Sequence, residues 1–291
     1  MSQQNPLSAY FRAPKLQTRI PSGGKFYVPE QVEMPPTGEL PVLAMTAKDE
    51  LIMKNPDALL NGEAVANLIQ SCVPCVKKPR ELLANDVDVL LVAIQAATYG
   101  DNIEVTADNP NVAEDDEHRK VTAIVSARAA LDTIGELEKA YEFTTEEGLK
   151  IQVRPLTYES TVKAGISSFQ TTRSLESLQQ IADDFDKIKA FSNSFKQIAD
   201  LNFSLMIDAV ASITTPDGVE VTDRKDIAEF LSDASASIGK EIEKLMEEVN
   251  SIGISHEVQF EPEEGEPFTA PVNFDPVGFF TASLLEANLN K

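Results

Sequence analysis

The sequence predicts an α+β fold, mainly helical, in which long helices are joined by a small antiparallel strand unit. Several stretches between residues 46 and 256 repeat apolar residues at spacings of three and four, the mark of amphipathic helices. Around 103–105 and 141–154 the pattern becomes an alternation of apolar and polar residues, as in half-buried strands. Proline and glycine crowd into the first 45 residues, where they bar regular helix.

Residues 1–45 carry prolines at 6, 14, 21, 29, 35, 36 and 41, with Gly23, Gly24 and Gly38. The same stretch holds Tyr10, Phe11, Phe26 and Tyr27, large apolar groups that a purely solvated linker rarely carries. It is expected to be an extended arm lying against the protein's own body or against a partner. A helical part should cover 46–102. Thr46 with Asp49 makes a capping box for a short helix that ends before Pro56. Asn61 can cap the next helix, with Ala64, Val65, Leu68, Ile69 and Cys72 on its inner face. Asp86 can cap a third, with Val89, Leu90, Ala93, Ile94 and Ala97 inside and Gly100 as its left-handed terminator.

A strand-rich unit is expected from 103–156 together with 257–274. Ile103 and Val105 open it, a polar loop with Glu114-Asp115-Asp116-Glu117 follows, and residues 141–154 form a hairpin around Glu147-Gly148. A second helical part should span 157–256. Thr157 can cap its first helix, and the pattern from Ser174 to about Ile213 is strongly helical. Within it Leu178, Ile181, Phe185, Ile188, Phe195 and Ile198 form a coiled-coil-like seam, interrupted at Ser192. Such a seam serves a helix packed on its own domain or a helix that binds a partner, and the spacing alone does not choose. Pro216-Asp217-Gly218 makes a turn between short strands. Two further helices follow to about 252, the second with an apolar stripe of Ile238, Ile242, Leu245, Met246, Val249 and Ile252 that is expected to be exposed. Asp275-Pro276 should start a C-terminal helix over 275–291.

The 291 residues suffice for one large domain or two modest ones, and 42% hydrophobic content is ordinary for a globular chain. The charge is not ordinary: 25 basic against 47 acidic side chains give a net −22. Such a surface repels phosphate backbones and anionic headgroups, which argues against nucleic-acid and membrane partners. No stretch approaches the roughly 20 apolar residues of a membrane span, and the first residues lack the pattern of a signal peptide. With only two cysteines there is no disulfide framework, so the expected location is cytoplasmic.

Chemistry finds little support. Cys72-Val73-Pro74-Cys75 has the spacing of a redox pair, but it falls at a helix C-terminal end, where the dipole disfavours a thiolate. A zinc site wants four ligands, and no second cysteine pair exists. Two structural thiols are therefore favoured over a metal or redox pair. Ser22-Gly23-Gly24-Lys25 lacks the glycine and hydroxyl of a phosphate loop, and no G-x-S-x-G elbow occurs. His118 and His256 form no zinc-protease motif, and the acidic run lacks the spacing of an EF-hand. No catalytic residue, metal ligand or cofactor is predicted.

Several phrases, in order, carry a resemblance. They are Ile20-Pro21-Ser22-Gly23-Gly24-Lys25-Phe26-Tyr27, Thr37-Gly38-Glu39-Leu40, Met45-Thr46-Ala47-Lys48-Asp49-Glu50, and Asn55-Pro56-Asp57-Ala58-Leu59-Leu60-Asn61-Gly62. Further on come Asp86-Val87-Asp88, Ala97-Thr98-Tyr99-Gly100, Val153-Arg154-Pro155-Leu156-Thr157-Tyr158 and Phe274-Asp275-Pro276 with Phe279-Phe280. Together they resemble the baseplate hub family of T4-like tailed phages, the gene-26-like proteins of myophages. The resemblance is densest over 20–105 and returns at 141–169 and 257–280.

In that family, some members carry two cysteine knuckles able to share a zinc. The corresponding places here are Asn109-Pro110-Asn111 and Glu261-Pro262-Glu263-Glu264-Gly265, without thiols, so the resemblance implies the turns but not the metal. It also implies a non-enzymatic role in building the baseplate hub, in the host cytoplasm during assembly or within the virion baseplate. The partners it implies are hub and tail proteins, the helical tape-measure protein among them. An assembly factor and a permanent structural subunit are both compatible with it. The residues expected to make contacts are Tyr10, Phe11, Phe26 and Tyr27 on the arm, and Leu178, Ile181, Phe185 and Ile188 on the seam.

Overall fold

The computed structural model describes residues 11–112, 119–138, 140–177, 184–255, 257–262 and 265–271; for 175–177 and 184–190 the description covers the backbone alone. The fold is α+β with small antiparallel sheets. The arm folds back on its own body. Strand β1 (Pro14–Thr18) pairs antiparallel with β2 (Leu40–Leu43), whose alternate residues Leu40 and Val42 are fully buried. Arg12 fastens the beginning of the arm by donating to the Ala44 and Ser71 carbonyls, each at 2.6 Å.

Helix α1 (Ala47–Met53) starts on the expected capping box, with Asp49 N–H donating to Thr46 Oγ1 at 3.2 Å and Thr46 N–H to Asp49 Oδ2 at 2.7 Å. Asn55 caps α2 (Pro56–Leu60). Helix α3 (Glu63–Cys72) has Gly62 at its N-cap, while Asn61 Oδ1 accepts from Glu63 N–H one position earlier than a cap would. Gly62 has φ +72°, and a Cβ there would lie 2.5 Å from Val162 Cγ2. Gly62→Ala is accordingly expected to lower stability by about 2 kcal/mol, read as a shifted urea midpoint, from left-handed strain plus overpacking. Helix α4 (Ala84–Tyr99) is apolar nearly all round and forms the centre of the first core.

Strands β3 (Asn102–Asp108) and β4 (Lys120–Ser126) form a hairpin, followed by α5 (Ala127–Asp132). Strands β5 (Tyr141–Thr144) and β6 (Lys150–Val153) pair as expected. Helices α6 (Tyr158–Ser177) and α7 (Asp184–Ala209) then pack against each other. Strands β7 (Val210–Thr214) and β8 (Glu220–Val221) complete a four-stranded sheet of order β5-β6-β7-β8. Helices α8 (Arg224–Asp233) and α9 (Ala236–Asn250) pack on it, and β9 (Glu257–Phe260) pairs with β10 (Phe268–Pro271).

Two main cores result. The first gathers the arm, α3, α4 and the β3–β4 and β9–β10 hairpins, with the Phe260 and Phe268 rings stacked at 5.3 Å. The second joins Ile151 and Val153 of β6, Val210 and Ile213 of β7, Ile227 and Leu231 of α8, and Ile238 and Ile242 of α9.

Several expectations are corrected. The β5–β6 hairpin belongs to the sheet with β7 and β8 and does not join residues 257–271, because Lys150 to Val153 register with Thr214 to Val210. The helical run stops at Ala209, and Ile213 lies in a strand whose Val210, Ser212 and Ile213 are buried. The stripe on α9 is not exposed: Ile242 and Val249 are fully buried, and Leu245, Met246 and Ile252 pack against the second and third cores. Asp86 does not cap α4. Leu83 holds that position, and Asp86 points inward from the first turn. Gly100 does terminate α4 at positive φ, but with extended ψ (φ 103°, ψ −171°) rather than left-handed helical geometry. The acidic run at 114–117, His118, His256 and the expected C-terminal helix lie outside the described residues.

Candidate functional site

The arm meets the body where α4 begins. The Tyr27 hydroxyl accepts from Leu83 N–H at 2.8 Å and donates to Asp86 Oδ2 in a short hydrogen bond. Ser22 N–H donates to Asp86 Oδ1 at 2.9 Å. Burial pushes the Asp86 carboxyl above the usual carboxylate range, against the pull of these donors from Ser22 and Tyr27. Burial, and the Asp86 charge beside it, also raise Tyr27 well above an ordinary phenol. The preceding residue faces the other way: Asn85 Nδ2 donates to the carbonyls of Val249 at 3.0 Å and Ile252 at 2.5 Å, closing the end of α9. One turn of helix thus holds both the arm and the late helix.

Tyr27 is therefore an internal anchor of the arm, and Phe26 packs half-buried against Leu83, Leu137, Tyr141 and Val249. Phe11 is open to solvent at 66% exposure. Tyr10 lies outside the described residues.

The α6–α7 hairpin presents the other candidate surface. Its root is fixed to the body. Tyr158 N–H donates to the Leu82 carbonyl at 2.7 Å, and Ala84 N–H to the Leu156 carbonyl at 2.9 Å. Thr157 Oγ1 accepts from Ser160 N–H at 3.3 Å, which is the predicted cap. The inner end of α7 packs into the second core through Phe203, Leu205, Met206 and Ile207. Farther along, the polarity inverts. Ser194 on α7 and Thr171 on α6 are buried, whereas Phe191, Phe195 and Ile198 are 49%, 57% and 38% exposed. These three follow spacings of four and three, so they share one face of α7, and the two phenylalanine rings lie 5.0 Å apart. Phe169 on α6 is also exposed, with the Arg173 guanidinium over its ring at 5.7 Å. Phe185 and Ile188 lie on α7 before Phe191, with their side chains outside the described residues, as are Leu178 and Ile181 altogether. The seam expected from sequence thus passes through an exposed face at Phe195 and Ile198. Phe169 and Phe191 are additions to it: Phe191 lies one turn before Phe195, a signal the sequence offered.

The cysteine pair sits elsewhere. Cys72 is fully buried at the end of α3, and Cys75 is half-buried. Burial pushes the Cys72 thiol up to about 11; Asp49 adds to the rise and Arg12 opposes it. Iodoacetamide at pH 8 is expected to label Cys75 first and Cys72 only slowly, as mass spectrometry of the labelled peptides would read. At the first knuckle position, Asn109 is buried and its Oδ1 accepts from Asn111 N–H at 3.0 Å, so a side-chain amide closes that turn. Among the described residues no group of three or more His, Cys, Asp or Glu side chains is arranged to hold a metal ion. Among them, too, no helix is long and apolar enough to cross a membrane.

What this site offers is contact surface: an anchored arm and an aromatic face on a pair of packed helices. Comparison with known proteins gives no curated protein and no solved structure that matches. The family model described as T4 bacteriophage base plate protein, however, matches residues 14–280, nearly the whole chain. On that match, the chain belongs to the T4 bacteriophage base plate protein family.

Proposed function

We propose that this base plate protein helps to build the baseplate hub by protein–protein contact, with the α6–α7 hairpin as its docking arm. The observation that carries the reading is the exposed face of Phe191, Phe195 and Ile198 on α7, since solvated aromatics in helical register mark surfaces that other proteins cover. Charge favours the same element. Residues 158–200 carry five basic and six acidic side chains, so the hairpin escapes the strong negative charge of the rest of the chain. A client approaching the hairpin meets little repulsion, while the acidic body keeps the complex dispersed. A long amphipathic helix, as in a tape-measure protein, or a hub subunit with an apolar groove would suit this face.

Co-expression with the other hub and tail proteins of the same phage tests the reading. A stable complex with at least one of them is expected, and recovery of the protein alone from every pairing would refute it. Mass spectrometry of purified virions separates the two roles: baseplate stoichiometry marks a structural subunit, and absence marks an assembly factor.

A further inference from the structure

At the root of the α6–α7 hairpin lies a cavity of about 520 Å³. Its wall carries Arg80 from the turn Pro79–Glu81, Arg154 just after β6, Lys163 from α6 and Arg224 at the first position of α8. Four cations from four elements converge there, although the chain has only 25 basic residues against 47 acidic ones. The carboxylates on the same wall are already engaged. Glu159 accepts from Arg80 at 2.7 Å and pairs with Lys163 at 3.5 Å. Asp208 accepts from Ser160 Oγ at 2.9 Å and pairs with Arg224, and Glu81 accepts from Gln31 at 2.7 Å and pairs with Lys78 at 3.1 Å.

Arg154 is different. Among the described residues it forms no ion pair, and its Nε reaches only the Asp208 carbonyl, at 3.5 Å. Desolvation, and after it the like charge of Arg224, pull its pKa down, the direction that an arriving anion would reverse. The wall therefore holds four cations and three carboxylates, with the surplus positive charge at Arg154.

We propose that this cavity receives an acidic segment of a partner protein, whose carboxylates bind the guanidinium groups of Arg154 and Arg224. The inference rests on the docking role of the hairpin and deepens it, because Glu159, Ser160 and Lys163 on α6 and Ser204 and Asp208 on α7 make the cavity continuous with that arm. Planar guanidiniums match carboxylates bidentately. A long polyanion such as nucleic acid would have to approach against the net −22 of the chain. A few carboxylates carried by an already docked protein act within about a Debye length, where the local charge decides.

The test uses the full chain and a fluorescein-labelled hexaglutamate peptide at physiological ionic strength, where the Debye length of about 8 Å screens the net charge of the rest of the chain, followed by fluorescence anisotropy. Saturable binding is expected, at least about tenfold weaker in Arg154→Gln, with a hexaglutamine peptide not binding. Arg154 belongs to neither main core and keeps part of its side chain in solvent, so the variant should keep the wild-type unfolding midpoint, which is measured alongside. Absence of saturable binding, or equal binding to the variant, overturns the proposal. So does displacement of the peptide by an equal concentration of inorganic phosphate, which would mark a simple anion site. Failure here with hub-protein capture intact would remove this inference alone, whereas loss of capture by every partner with peptide binding intact would remove the docking reading.

Discussion

Asp86→Ala is expected to destabilise the protein by about 3 kcal/mol, seen as a lower urea midpoint with little change in slope. The substitution strips the acceptor from two buried donors at once, the Tyr27 hydroxyl and Ser22 N–H. Each unsatisfied donor costs roughly 1–3 kcal/mol, offset in part because a buried carboxylate no longer has to be desolvated. Asp86→Asn is expected to be milder, since its amide oxygen still accepts from Ser22. Both variants also differ from wild type in pH dependence. Burial raises the Asp86 carboxyl, so the folded chain holds this proton more tightly than the unfolded chain does. Its contribution is then fully present below the ordinary aspartate value of about 3.9 and is lost as pH rises through the raised folded value. The advantage of wild type over Asp86→Asn should therefore shrink as pH rises through that window. A gap between the urea midpoints that stays constant with pH would show that Asp86 does not titrate within the fold.

The double substitution Phe191→Gln, Phe195→Gln is expected to do the opposite: spare stability and cost binding. Both rings are about half exposed and belong to neither main core, so the unfolding midpoint should move by less than about 1 kcal/mol. Glutamine keeps the helix propensity of the site. If the α7 face is where a hub or tail protein docks, removing two aromatic anchors should weaken that complex by about 2 kcal/mol or more, roughly thirtyfold in Kd. Phe11→Ser provides the comparison on the arm, because Phe11 is also exposed. A drop in affinity for the α7 variant but not for Phe11→Ser would place the interface on the hairpin. Unchanged affinity in the α7 variant would exclude that face.

How much of this was readable beforehand depended on how local each cause is. Thr46 and Asp49 form their box within four residues, and both predicted partners are in place. The β5–β6 hairpin followed from alternation on either side of Gly148. The end of α7 did not follow, because Ile207, Val210 and Ile213 continue the helical spacing of three past the point where the strand begins. The choice is made by Ile151 and Val153 of β6, whose strand pairs with β7. Asp86 looked like a cap because nothing nearby in sequence competes for it; its partners Ser22 and Tyr27 are 64 and 59 residues away. The seam was legible as an apolar repeat, but which side it faces was not. Ser194 and Thr171, small enough to let α6 and α7 approach, take the buried positions and leave the phenylalanines outside. The ordered phrases that resemble the base plate family pointed to it better than any single residue, and all of them fall within the residues 14–280 that the family model matches.

The two-way grip of Asn85 and Asp86 also bears on the order in which the chain can become native. Asn85 waits for carbonyls as far as 167 residues downstream, and the first core is completed by Phe260 and Phe268. During synthesis, then, Asp86 can take hold of Ser22 and Tyr27 early, but the Asn85 grip and the first core are not completed until the ribosome has released the segment beyond 249. Contacts of such long range slow folding, because loop closure must precede the contacts that reward it. A nascent chain halted before α9 should remain protease-sensitive through its N-terminal half, although every helix of that half has already been made.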